Sequence, residues 1–96
     1  MTTYQIAHIV EQGQQIILIP VDDQFEYKLP EDKQSILGSL QFCATSARLA
    51  GTVVLVWNNP SGRLAFMGPH QWHPWLRTLT MQRVIGSLNN TLICQF

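Results

Sequence analysis

Five residues with binding chemistry crowd one short stretch of this chain: His70, Trp72, His73, Trp75 and Arg77. The stretch holds two of the three histidines and two of the three tryptophans, with Pro69 just before it and Pro74 within it, so it is the first place to look for a site. Trp72 or Trp75 could stack on a planar ring while Arg77, one helical turn past His73, pairs with an anionic group. His70 and His73, three residues apart, would share a helix face, but no further ligand lies near them in sequence to complete a metal set. The plainer alternative is packing: both tryptophans anchor the core and the histidines rim them.

Chemistry elsewhere is thinner. Asp22 and Asp23 form a compact carboxylate pair outside the helix start; adjacent residues point apart in a strand and face water in a loop. Cys43 falls on the apolar stripe of a helix, where a thiol lacks the electropositive, accessible setting of a nucleophile. Ser61-Gly62 belongs to a turn without the glycines of a nucleophile elbow. Trp57, Arg63 and Phe66 could form a stacking platform for nucleic acid, yet a pI near 6.8 is far from a basic footprint, and core aromatics are the simpler expectation. His8, on the buried face of the first strand, reads as a hydrogen-bonded structural histidine. The six glycines never cluster before a helix, which removes a phosphate loop. No catalytic residue, metal ligand or cofactor is assigned.

The elements that must position these residues can be read from periodicity. Tyr4, Ile6, His8 and Val10 alternate as a half-buried strand, Gly13 marks a turn, and the β-rich residues 16–19 complete a hairpin that Pro20 ends. A polar connection follows, with Phe25 and Tyr27 placed to fold back over the core. Pro30, Glu31 and Asp32 open a helix whose apolar residues Ile36, Leu37, Leu40, Cys43, Ala44 and Ala47 share a face, with Arg48 and Gly51 closing it. Residues 52–57 and 63–67 flank a turn rich in Asn, Pro and Gly and form a second hairpin. Residues 70–88 carry two apolar stripes that point apart on one straight helix, which predicts a kinked helix, two short helices or a helix followed by a strand. Residues 91–96 read as a last strand. The expected fold is α+β over a single domain, 1–96: an antiparallel sheet of two hairpins and a C-terminal strand, in the order ββα-ββα-β, with helices on one face.

Composition narrows the role. Only 12% of residues are charged, about half the usual share, so the surface is neutral and repels copies of itself weakly. A homo-oligomer is expected. All six acids lie in residues 1–32, which carry −5, whereas Lys33 and four arginines leave residues 33–96 at +5. That asymmetry points to a small anionic ligand or a protein partner for the later part, more than to nucleic acid. The N-terminus lacks a basic region before an apolar run, and no apolar stretch approaches the ~20 residues of a membrane helix, so a soluble, cytoplasmic protein is expected. Cys43 and Cys94 read as buried free thiols in a reducing compartment. The combined reading is a self-associating, non-enzymatic binding or interaction module. The alternatives are a small-molecule-binding domain or small enzyme with a pocket near His70 and His73, and a nucleic-acid-binding accessory domain.

Overall fold

In the computed structural model, which describes residues 2–95, the first hairpin forms as its alternation requires. Strand β1 (Thr2–Glu11) pairs antiparallel with β2 (Gln14–Pro20), and the register Glu11↔Gln14 leaves a two-residue turn with positive φ at Gln12 (51°) and Gly13 (76°). Turns of this hand match the twist of the flanking strands. The connection to the first helix coils as a 3-10 turn over Asp23–Tyr27, capped by the Asp22 carboxylate, and Phe25 is buried beneath it. Tyr27, by contrast, is exposed.

Helix α1 (Pro30–Ser46) starts at the expected proline. Its end departs from the expected one. Arg48, not a glycine, takes the left-handed conformation (φ 62°), and the Leu49 and Arg48 N–H groups close back on the Ala44 and Thr45 carbonyls. This is the Schellman arrangement. Gly51 serves another purpose: at φ 133° it passes so close to β2 that a Cβ there would lie 2.9 Å from the Gln15 carbonyl oxygen. Gln41 then ties the helix to the next strand, its side chain donating to the Gly51 carbonyl (3.1 Å) and accepting from the Val53 N–H (2.8 Å).

Strand β3 (Thr52–Asn58) and β4 (Leu64–Met67) form the second hairpin, its turn held by the Asn59 carboxamide oxygen, which accepts from the Ser61 and Arg63 N–H groups. Residues 70–88 divide into a 3-10 turn at His70–Trp72, helix α2 (His73–Leu76) and helix α3 (Met81–Gly86). The break falls at residues 77–80, where the Thr80 hydroxyl caps α3; no strand forms between Leu79 and Ile85. Strand β5 (Asn90–Cys94) ends the described fold, and Phe96, included in the expected last strand, lies outside the described residues.

The α+β class holds, but two parts of the expected architecture do not. The five-stranded sheet runs β4-β3-β2-β1-β5, and β2 pairs parallel with β3, so the sheet is mixed where a purely antiparallel one was expected. Residues 21–51, with α1 among them, form the long crossover that a parallel pair demands. Helices also cover both faces, not one. Against one face α1 and Phe25 bury Ile17, Ile19, Val53, Leu55 and Trp57; against the other, Trp72, Leu76 and Val84 bury Ile16, Leu18, Val54 and Val56. Central strands buried on both sides read as continuous apolar runs, which is what residues 16–19 and 53–57 are. With the second helical region in three short pieces, the ββα-ββα-β order is not cleanly reproduced.

Cys43 and Cys94 are joined as a disulfide, Cα to Cα 5.8 Å, and are not the expected free thiols. The crosslink pins the edge strand β5 to α1. The inference of a reducing compartment rested on free thiols and falls with them, since such bonds persist where the surroundings are oxidising. Among the described residues no helix is long and apolar enough to cross a membrane.

Candidate functional site

The 70–77 segment is built from the inside outward. Gly68 lets the chain press on β3, where a Cβ would meet Val54 Cγ2 at 2.8 Å, and this contact delivers the following residues to the sheet face. Trp72 is buried in the core with Ala7, Leu18 and Leu76. Its ring is committed to packing and offers no stacking surface. Trp75 is half-buried, edge-on to Trp72 with centroids 6.2 Å apart.

The histidines lie on the outer side. His73 Nε2–H donates to the Gly68 carbonyl (3.2 Å), and its ring meets Phe66 edge-on at 5.1 Å and the exposed His70 ring at 4.9 Å. Donation from Nε2 fixes the tautomer and orientation of the His73 ring against the main chain. Among the described residues no three His, Cys, Asp or Glu side chains gather to hold a metal.

Arg77 leaves this cluster. It is exposed and lines a cleft of about 620 Å³ between β4 and the turn joining α2 to α3. Arg63, just before β4, lines the same cleft, with Leu64, Phe66, Leu79 and Met81 as apolar wall and Asn58, Thr80 and Gln82 as neutral polar wall. No carboxylate side chain lines it; Asp23 comes near only by accepting from the Asn58 main-chain N–H at 3.2 Å. Two arginines lining a cleft with apolar walls can bind an anion that carries a hydrophobic body, the charge held by forked N–H donors and the body by desolvation. Phe66 bridges the two regions, touching His73 and lining the cleft.

Of the five residues singled out in the sequence, the structure therefore places Arg77 in the cleft, His70 and His73 beside it across Phe66, and Trp72 and Trp75 toward the core. Arg63, Leu64, Leu79 and Met81 were missed as parts of a ligand surface. Alternation in β4 was the available signal, since Leu64 and Phe66 share one face and Ala65 and Met67 the other. The same alternation separates the aromatics of the expected nucleic-acid platform: Phe66 pairs with Val56, while Trp57, next along β3, is buried on the opposite face with its indole N–H donating to Glu26 at 2.9 Å.

His8 is half-buried, its Nε2–H within hydrogen-bond reach of the Ala50 carbonyl (2.7 Å) and Gln15 Oε1 (2.9 Å), so it staples β1 to the loop before β3. Comparison of the chain with protein families, with curated proteins and with solved structures gives no match.

Proposed function

We propose that this protein is a binding module whose cleft takes a small amphiphilic anion, an aromatic or aliphatic body bearing a carboxylate, sulfonate or phosphate. The carrying observation is that Arg63 and Arg77 line the same cleft as Leu64, Phe66, Leu79 and Met81, with no carboxylate side chain in its wall. Binding is favoured over catalysis because no histidine, thiol or carboxylate side chain lines the cleft, His73 standing behind Phe66. Titration of the ¹⁵N-labelled protein with phenyl phosphate tests this. Amide shifts are expected at Arg63 to Phe66 and Arg77 to Gln82, and R63Q or R77Q should each weaken binding by about tenfold, the loss of one charge-assisted contact. Shifts confined to other surfaces, or affinity unchanged in both variants, would reject the cleft.

A further inference from the structure

The chain concentrates its neutral surface. No charged residue occurs between Lys33 and Arg48 or after Arg83, and the structure sets these two segments side by side, α1 against β5, with the Cys43–Cys94 disulfide between them. Where they meet lies a groove of about 670 Å³ lined by Gly38, Ser39, Phe42, Ser46, Ile93 and Gln95 among others. Phe42 is 75% exposed and Ile93 54% exposed. Both side chains line the same groove, so their apolar exposure is contiguous on a surface without charge.

Next to the groove, β5 is an open sheet edge. Main-chain groups alternate in direction along an antiparallel strand, and the Thr91 N–H is taken by the Asn90 side chain (2.8 Å) and not by β1. Odd-numbered residues thus turn their main-chain groups away from β1, Ile93 among them, whose carbonyl oxygen lies 3.4 Å from Cys43 Sγ and whose N–H faces outward. Natural edges are guarded by lysine, proline, inward charge or a bulge. The sequence of β5, NTLIC, has no charge and no proline.

We propose that a second copy of this chain covers this face. Antiparallel pairing of β5 with β5 about a two-fold axis through Ile93 would join the sheets and set the two α1 helices on the same side. Gly38, Ser39 and Ser46 would let the helices approach, and each Phe42 would enter the groove between them. The face suits its own copy in two respects. A two-fold contact needs a surface complementary to itself, and an edge strand is complementary to itself when run antiparallel. A face without charge meets no like charge when it is doubled, so nothing electrostatic opposes the pairing.

The cleft holding Arg63 and Arg77 borders β4, at the other end of the sheet, and stays open in this dimer. Sedimentation velocity on the oxidised chain from about 1 μM to about 1 mM tests the proposal, a range that brackets ordinary dimer affinities. Wild type is expected to dimerise. Phe42→Glu puts a charge in both halves of the contact and should weaken it by about 100-fold or more. Ile93→Pro removes one outward N–H from each edge and should also yield monomer, while far-UV circular dichroism stays that of wild type. A wild-type chain that remains monomeric throughout, or a dimer that both variants leave intact, would overturn the assignment. Because phenyl phosphate binding depends on the opposite end of the sheet, it should survive Phe42→Glu, so the cleft and the dimer face fail or stand separately.

Discussion

The indole N–H of Trp57 donates to Glu26 Oε2 at 2.9 Å, joining the largest side chain of the α1-side core to the 3-10 turn that covers it. Phe25 stands edge-on to the same indole at 4.7 Å, and the Lys33 ammonium lies 5.5 Å from its ring centroid. Trp57 is 4% exposed, so water cannot readily replace a lost acceptor. Glu26→Ala should cost about 1–2 kcal/mol, the penalty of an orphaned buried donor, and Glu26→Gln clearly less because its amide oxygen still accepts. Urea denaturation followed by tryptophan emission measures both. Equal effects of the two variants would show that the indole does not depend on this acceptor.

Arg48 occupies a backbone region where a side chain crowds the following carbonyl, at a cost of about 1–2 kcal/mol. Glycine there escapes the crowding but loses more chain entropy on folding, about 0.5–1 kcal/mol. The balance favours Arg48→Gly by about 0.5–1 kcal/mol. A thermal midpoint that rises by a few degrees bears this out, and a fall would mean that the arginine makes a compensating contact.

Much of this architecture follows from local pattern. The alternation of Tyr4, Ile6 and His8 marks β1, and Pro30 with Glu31 and Asp32 marks the start of α1, because turn, cap and burial preferences act over a few residues. What escaped depends on which strand lies beside which. The β2–β3 parallel pair and the Cys43–Cys94 crosslink join residues that no spacing rule relates. Residues 16–19 and 53–57 are apolar without interruption, a pattern that argues against a sheet with one bare face. At the site, the crowding at residues 70–77 marked the right neighbourhood, but chemical type alone could not separate Trp72, spent on packing, from Arg77, left facing the cleft. Only the hairpin geometry brings Arg63 to the same cleft.

The disulfide closes a long loop, since its cysteines are 51 residues apart. Loop-closure entropy gives such a link up to about 4 kcal/mol through restriction of the unfolded chain. The Cys43→Ser/Cys94→Ser double variant should lose a large part of that, and reduction of the wild type should match it. Denaturation with and without reductant compares the two. Indifference of the wild type to reductant would place the cysteines apart in solution.

Gly51 faces two constraints at once, a φ of 133° and a Cβ position 2.9 Å from the Gln15 carbonyl oxygen. Backbone and not a flexible side chain stands in the way, so Gly51→Ala must shift β2 or the loop. The expected cost is about 2–3 kcal/mol, that of a residue held in a region its side chain disfavours. Gly38→Ala, with open space about its Cβ position in the middle of α1, should stabilise the chain by up to about 1 kcal/mol when the two residues are compared in the Phe42→Glu background, where the proposed helix contact is absent. Loss of stability in both variants would point to a general intolerance of added volume, and not to the close passage at Gln15.

Arg63 and Arg77 are both exposed, and neither guanidinium makes an ion pair or hydrogen bond within the chain among the described residues. Each is therefore available to a ligand without breaking an internal contact. Two consequences can be measured with phenyl phosphate. Affinity should fall as salt rises, because exposed charges are screened beyond about 8–10 Å at ordinary ionic strength. The R63Q/R77Q double variant should lose less than the sum of the single losses, since either arginine is worth less once the other no longer holds the anion between them. Calorimetric titration of wild type, both singles and the double closes the cycle. Strict additivity would mean that the two side chains act on separate anions, and the cleft would then hold two weak surface contacts in place of one site.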